Sequence, residues 1–208
     1  MPASSNPEQS VRSSGRGRPR EFDLNEMLDR AIQVFSERGF HGTSITDLIR
    51  ATNLAQGSLY KAFKDKEAIF LAALERYRAI RAQKLTSAIG TQGNGLEQLR
   101  RALAFYAASS LGSQGQTGCL VVGSLAELTT FPEPVALQIR SALERNEVML
   151  SDLIRKGQQD GSIPLHVNAD ASARMLLCLV QGMRIVGKAD TNRQHMSHVV
   201  DVALKALT

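Results

Sequence analysis

The sequence has few of the residues that mark secreted or membrane proteins. It contains no Trp, and its two cysteines, Cys119 and Cys178, are too few to frame a disulfide-rich scaffold. Its apolar runs are short: Met175–Val180 comprises six residues, whereas a helix needs about 20 to span a bilayer. No charged start is followed by an apolar stretch and a small-residue cleavage site, as a secretory signal requires. We therefore expect a cytoplasmic protein that does not associate with membranes.

The motifs of common enzyme classes are also absent. The sequence has no glycine-rich dinucleotide or Walker loop, no Gly-x-Ser-x-Gly, no His-Glu-x-x-His and no convincing pair of carboxylates. His195 and His198 have a spacing that metal binding allows, but no carboxylate or thiol accompanies them at ligand spacing. The sequence therefore predicts no enzyme, no metal site and no cofactor.

The composition is globular and the charge is basic. Apolar residues make up 43% and charged residues 22% of the chain, which is typical of a packed domain. Lys and Arg exceed Asp and Glu by 25 to 20, and the sequence pI of about 9.5 suggests an anionic partner. Much of the excess lies in residues 1–20, which hold four arginines and one glutamate. This segment reads as a flexible arm that either binds nucleic acid or is a solvated tail.

After the arm the apolar residues recur with helical periodicity, and we predict an all-α fold of about nine helices. We divide the chain into the arm (1–20), a helix-turn-helix domain (21–66) and a larger helical-bundle domain (67–208), with a long helix over 66–89 connecting the last two. Stretches rich in Gly or Pro separate most of the later elements. The helices are predicted at 24–38, 44–51, 55–63, 66–89, 96–111, 119–130, 134–160, 169–188 and 193–207.

Residues 44–63 are the most informative segment. A helix, a three-residue turn at 52–54 and a second helix have the lengths of a helix-turn-helix. Helical periodicity predicts that one face of the second helix points inward, with Leu59, Phe63, Ala55 and Ala62. The other face is small, polar and cationic, which suits a major groove but also suits the solvated face of an ordinary helical hairpin. Its residues are Gln56, Gly57, Ser58, Tyr60 and Lys61.

This segment resembles the TetR/AcrR family of bacterial transcriptional regulators. The resemblance is carried by Gly57-Ser58-Leu59-Tyr60, then Phe63 and Lys66-Glu67, and extends over residues 22–75. Two positions depart from the family pattern: Asn53 stands where Gly is usual, and Ala62 where His or Tyr is frequent. The resemblance implies that Thr46, Gln56, Gly57 and Lys61 face base edges of double-stranded operator DNA. It also implies phosphate contacts by Thr43, Ser44, Ser58, Tyr60 and Lys66.

The arm contains a second resemblance. Gly15–Arg20 is similar to the Arg-Gly-Arg-Pro core of AT-hook peptides, in which arginines lie in a narrow A·T-rich minor groove. Because it precedes a helix-turn-helix, we predict that Arg16, Arg18 and Arg20 contact the minor groove or phosphates. A solvated tail is the alternative.

For the carboxyl-terminal half, the family resemblance implies a domain that binds a small-molecule effector and forms a homodimer through its last two helices. Burial of the candidate seam within one subunit is the alternative. The seam comprises Leu177, Val180, Val199, Val200, Ala203 and Leu204. The candidate effector-pocket residues are Phe105, Tyr106, Cys119, Gln181 and Arg184. Phe105, Tyr106, Gln181 and Arg184 could equally be packing or surface residues.

The two cysteines receive different predictions. Cys119 lies at a predicted helix start, where the helix N-terminus favours a thiolate. Some TetR-like proteins with a similar Gly-Cys-Leu segment respond to electrophiles or oxidants, so Cys119 is either such a sensor or an inert thiol. Cys178 lies in an apolar run and is predicted to be in the core.

The sequence thus predicts a DNA-binding transcriptional regulator, and the family resemblance makes it a repressor that an effector releases from a palindromic operator. One alternative is a redox- or electrophile-sensing regulator that acts through Cys119. The other is an architectural DNA-binding protein without an effector. The effector's class is not indicated by the residues.

Overall fold

The computed structural model describes residues 23–189 and 192–208, so the predictions for Arg16, Arg18 and Arg20 lie outside the described residues. Within that part of the chain the structure is all-α, as predicted, and every predicted helix is present. A further short helix, α6, occupies a glycine-rich segment that was expected to be a loop. The elements are α1 (Leu24–Arg38), α2 (Ile45–Thr52), α3 (Gln56–Ala62), α4 (Lys66–Ile89), α5 (Gly95–Ser109), α6 (Gly112–Thr117), α7 (Leu120–Ala126), a 3₁₀ turn (Leu128–Thr130), α8 (Glu133–Gln159), α9 (Ala169–Val186) and α10 (Arg193–Lys205).

Polar caps explain where the first helices begin. Asp23 accepts hydrogen bonds from the backbone N–H groups of Asn25 and Glu26, and Asp65 does the same for Ala68. These caps satisfy backbone donors that have no partner within the helix. The turn between α2 and α3 depends on Asn53, whose φ of 55° lies in the left-handed region. Asn adopts this conformation more readily than most residues, so the departure from the family's Gly is tolerated.

The first apolar core joins α1–α4 to the carboxyl-terminal half. Phe35, Phe70, Leu48 and Leu59 are almost fully buried in it. Residues of α7 and the first half of α8, such as Ile139, belong to the same core. The helix-turn-helix is therefore packed directly on the larger domain and is not connected to it through α4 alone.

The second core lies among α5, α8, α9 and α10, and it contains most of the residues that were predicted to form the dimer seam. Leu177, Val180, Val200, Ala203 and Leu204 are buried within one subunit, which is the alternative that the sequence left open, and Val199 is partly buried against them. The opposite side of α9 is also apolar, but it is exposed. It includes Met175, Ile185, Val186 and Cys178, so the prediction of a core position for Cys178 is wrong.

Over residues 23–189 and 192–208, no helix combines the length and the apolar character needed to cross a bilayer.

Candidate nucleic-acid interface and ligand cavity

The outer surface of α3 is open. Gln56, Gly57 and Lys61 are exposed, and no described atom lies within 4 Å of a Cβ built on Gly57. Leu59, 1% exposed, anchors the helix from beneath, so the polar residues keep a fixed orientation. The backbone at Gly57 therefore lies uncovered between the Gln56 amide and the Lys61 ammonium group. A DNA groove can approach a surface of this shape closely.

The structure agrees with only some of the other predictions for α3. Tyr60 is 47% exposed and Ser58 is half-buried, so both hydroxyl groups lie at the edge of this surface. Phe63 points partly inward as predicted, whereas Ala55 and Ala62 are exposed. A helix of seven residues covers the core with little more than one turn, and Leu59 and Phe63 fill that space.

The beginning of α2 carries a network of hydrogen bonds around Asp47. The Ser44 hydroxyl accepts from the Asp47 backbone N–H over 3.1 Å and the Asp47 carboxylate accepts from the Ser44 backbone N–H over 3.0 Å, which forms a capping box. The Ser44 hydroxyl also donates to the Asp47 carboxylate over 2.6 Å. Hydrogen bonds from Ser44, first its side chain and then its backbone, lower the pKa of Asp47, and the charges of Arg38 and Arg50 act in the same direction. A phosphate that binds the Ser44 hydroxyl must therefore replace an ionised carboxylate as its acceptor.

Thr46 and two cations extend this surface. Thr46 is exposed, and Arg50 lies one turn later on the same side of α2. Lys64, also exposed, follows α3. Neither Arg50 nor Lys64 was among the predicted contacts, although counting the basic residues within the helix-turn-helix would have found both.

Thr43 does not have the predicted role. Its side chain is 1% exposed, and its hydroxyl donates to the Gly39 carbonyl over 2.7 Å. The predicted phosphate contact is therefore wrong for this side chain, because the hydroxyl is buried and already bonded within the α1–α2 loop.

Lys66 also differs from its prediction. Its Nζ donates to the carbonyl oxygens of Phe40 and Thr43 over 2.9 and 3.0 Å and lies 4.2 Å from the centre of the Phe40 ring. These contacts hold the ammonium against the protein itself, so the expected phosphate contact is not supported. Lys66 braces the α1–α2 loop against the start of α4, and this loop orients α2.

A cavity of about 450 Å³ lies among α4, α5, α8 and α9, beside the start of α7. The structure brings the five pocket candidates together there: Phe105, Tyr106, Cys119, Gln181 and Arg184 all line it. Sequence reasoning missed the contribution of α4, which supplies Tyr77, Arg81 and Leu85. Helical periodicity shows that these three residues share a face of α4, but it does not show that this face lines a cavity.

The polar groups of the cavity are mostly neutral hydroxyls and arginines. The Tyr77 hydroxyl donates to Cys119 Sγ over 3.1 Å, and burial, followed by the neighbouring Cys119, raises the pKa of Tyr77. Burial raises the pKa of Tyr106 to about 12, so this phenol is also protonated at neutral pH. The Arg81 guanidinium lies 4.6 Å from the centre of the Phe105 ring.

Arg184 stands out among the cavity residues. It is 4% exposed, and one guanidinium nitrogen, Nη2, donates to the Gly118 carbonyl over 2.9 Å. Its Nε and Nη1 atoms are buried without a hydrogen-bond partner among the described residues. Buried polar atoms in native proteins are nearly always bonded, so these two nitrogen atoms need an explanation.

Polar contacts also join the cavity side of the larger domain to the helix-turn-helix half. Cys119 is the N-cap of α7 and Glu127 is its C-cap. The Phe40 backbone N–H donates to Glu127 Oε2 over 3.2 Å, and His41 Nε2 lies 2.8 Å from Thr130 Oγ1. Residues at the end of α7 therefore hold the α1–α2 loop.

Within the described ranges, no three His, Cys, Asp or Glu side chains are placed to hold a metal ion.

Comparisons with known proteins agree with this architecture. The family model for bacterial regulatory proteins of the tetR family matches residues 27–73, and the model for the tetracyclin repressor-like C-terminal domain matches residues 95–203. Among curated proteins, the HTH-type transcriptional repressor ComR of Escherichia coli (strain K12) is 29% identical over 201 residues, which cover 95% of this chain and 94% of ComR. The HTH-type transcriptional repressor NemR of the same organism is 28% identical over 177 residues, which cover 81% of this chain and 85% of NemR.

A solved structure resembles the chain over most of its length. A cysteine mutant of the TetR family regulator CifR, complexed with 26-bp double-strand operator DNA, has a TM-score of 0.81 and 28% identity. The match covers 92% of this chain and 100% of CifR. The two family models together account for the helix-turn-helix and for most of the larger domain. The chain therefore belongs to the TetR family of bacterial transcriptional regulators.

Proposed function

We propose that this protein is a homodimeric repressor that binds a palindromic operator and leaves it when a small-molecule effector occupies the cavity. The observation that carries the proposal is the open surface of α3, where Gly57 leaves room for a close approach between Gln56 and Lys61. The similarity to named repressors and to an operator-bound regulator supports it. As a DNA-binding regulator, the protein would act in the cytoplasm.

We assign base contacts to the centre of the surface and phosphate contacts to its edge. Gln56 can pair with the edge of an adenine through both amide atoms, and Lys61 can reach guanine or a phosphate. Thr46 approaches the same groove from α2. Tyr60 and Ser58 suit phosphates, which set the register without reading the sequence. Ser44 remains a candidate that requires rearrangement of its bond to Asp47.

The minor-groove role of the arginine arm stays part of the proposal. Arg16, Arg18 and Arg20 would reach the groove beside the one that α3 enters, as arms that precede DNA-binding helices do in other proteins.

Dimerisation is proposed through the exposed side of α9 and α10 and not through the residues first predicted. Met175, Cys178 and Ile185 follow one another at helical spacing on the side of α9 opposite the core, and Val202 is 66% exposed on α10. A helix that is apolar on both sides is normally buried on both sides. A second copy would cover this face and place two α3 helices about one DNA turn apart.

The proposal is tested by capturing genomic DNA fragments with the purified protein and sequencing them. We expect a palindrome near one or a few promoters, and Lys61→Ala should lower affinity for it by tenfold or more. Lys84→Ala, which removes the same charge from an exposed position of α4, is the matched control and should bind normally. Uniform coating of all DNA would instead support an architectural protein, and unchanged binding by Lys61→Ala would remove α3 from recognition.

A second candidate function is regulation through Cys119, favoured by its place in the cavity wall and by the hydrogen bond from Tyr77. An electrophile with an activated double bond would form a carbon–sulfur bond to Cys119, and the thiol proton would pass to the neighbouring carbon. Cys119→Ser should then abolish release of DNA by N-ethylmaleimide, whereas Cys178→Ser should retain it. Release that persists in Cys119→Ser would exclude this function.

A further inference from the structure

We propose that the effector carries a carboxylate on an apolar body and that Arg184 binds the carboxylate inside the cavity. This inference rests on the proposed function and names the chemical class of its ligand.

The first observation is the state of the Arg184 side chain. Nε and both N–H groups of Nη1, three of the five donors of a guanidinium, have no partner among the described residues. The bond from Nη2 to the Gly118 carbonyl and the burial of the side chain, which is 4% exposed, limit the freedom of the guanidinium to reorient. A carboxylate has two oxygens at the spacing of two neighbouring guanidinium N–H groups, so it can accept from the second N–H of Nη2 together with an N–H of Nε or Nη1.

The second observation is the charge of the cavity wall. Four arginines line it against a single acid, Glu75; they are Arg78, Arg81, Arg145 and Arg184. In the part of the chain that the structure describes, none of the four forms an ion pair. Arg78 donates to the Gln138 amide oxygen, Arg145 donates to the Ser141 hydroxyl, and Arg81 lies on Phe105.

Other arginines of the protein behave differently. Seven of them form ion pairs with Asp or Glu side chains, as Arg76 does with Asp29 and Arg155 with Asp170. The cavity thus concentrates cations that lack carboxylate partners, and such a cavity attracts an anion.

The third observation is the apolar character of the rest of the wall. Leu85, Phe105, Val121 and Met149 surround the space, and its volume of about 450 Å³ is in the range of small-molecule sites. The Arg81 guanidinium covers one face of Phe105, so an apolar ligand body would contact the other aromatic surfaces and the aliphatic side chains. An aromatic or aliphatic acid fits both parts of this wall, whereas an inorganic anion would use only the charged part.

The experiment compares acids with their uncharged amides on the full-length protein. Calorimetric titration at one ionic strength would use three pairs: benzoate and benzamide, 2-naphthoate and 2-naphthamide, and octanoate and octanamide. We expect at least one acid to bind tenfold or more tightly than its amide and to release the operator. Arg184→Gln should reduce that ratio to about one, and Arg140→Gln, which removes an exposed arginine paired with Glu133, should keep it.

Several results would overturn the inference. They are equal binding of acid and amide in every pair, no binding of any acid, or a ratio that survives in Arg184→Gln. The wild-type comparison does not depend on how any variant folds, and Arg184→Lys provides a second variant that keeps the charge but loses the planar pair of donors. We expect that variant to retain part of the ratio.

The same assays separate this inference from the proposed function. If the protein binds its operator and a neutral compound releases it, only the carboxylate site is excluded. If the protein selects no genomic sequence but an acid still binds through Arg184, the repressor function is excluded and the site stands.

Discussion

Gly57 allows the stability of α3 to be separated from its contact with DNA. It is the second residue of α3, and a Cβ built on it has no described atom within 4 Å. Alanine at this position therefore restricts the unfolded chain without a steric cost in the free protein. Glycine within helices is less favourable than alanine by roughly 0.5–1 kcal/mol, and the first turn should give the lower value. We expect Gly57→Ala to raise Tm by about 1–2 °C.

On the operator the same substitution should act in the opposite direction. The added methyl group would lie between Gln56 and Lys61 and would separate α3 from the groove. We therefore expect operator affinity to fall about tenfold, which corresponds to about 1.4 kcal/mol. Gly57→Leu should weaken binding further. Fluorescence anisotropy with a labelled operator fragment at fixed salt measures the affinity, and circular dichroism measures Tm.

Gly123 provides the matched control. It lies within α7, it is exposed, and a Cβ built on it also meets no described atom within 4 Å. Gly123→Ala should therefore raise Tm without changing operator affinity. Wild-type affinity in both Gly57→Ala and Gly57→Leu would refute the argument that α3 approaches DNA at this residue.

Four further predictions concern other parts of the molecule. Lys66→Met should lower the free energy of unfolding by about 1–2 kcal/mol, measured by urea titration, because two carbonyls lose a charged donor. Glu127→Ala should accelerate hydrogen exchange of the Phe40 amide, which loses its acceptor; an unchanged exchange rate would show that this bond is not maintained. Ile185→Asp should convert dimers to monomers in light scattering, unlike Leu137→Asp, an equally exposed position on α8. Deletion of residues 1–20 should reduce the slope of log affinity against log salt by two or more, and an unchanged slope would exclude the arm from binding.

The helix-turn-helix could be predicted because its signals are local. The turn residue Asn53 and the inward Leu59 are each recognisable within a few positions of the sequence. The bonds of Lys66 could not be predicted in this way, because its acceptors Phe40 and Thr43 are more than twenty residues away along the chain. A lysine in the first turn of a helix is ordinarily solvated, so nothing local distinguished it.

The residues predicted for the dimer seam could not be identified from the sequence for a different physical reason. The apolar residues of α9 occupy both of its sides, so periodicity alone cannot decide which side faces the core. The packing of α5, α8 and α10 decides it by burying Leu177 and Val180 and leaving Ile185 exposed. The unpartnered donors of Arg184 could not be predicted for the same reason, because only the folded structure shows that this basic residue of α9 is buried beside Gly118.

We propose that the cavity is coupled to DNA binding by two helices, each of which contacts both the cavity and the α1–α2 loop. α4 begins at Lys66, which braces the α1–α2 loop, and lines the cavity further on with Tyr77 and Arg81. The N-cap of α7, Cys119, lies in the cavity wall, and its C-cap, Glu127, holds the same loop. A ligand that moves α4 relative to α7 must therefore change both attachments of the loop, and with it the orientation of α2 and α3. Hundredfold release requires a difference in ligand affinity between the two states of only about 3 kcal/mol, which one carboxylate bound to a buried guanidinium can supply.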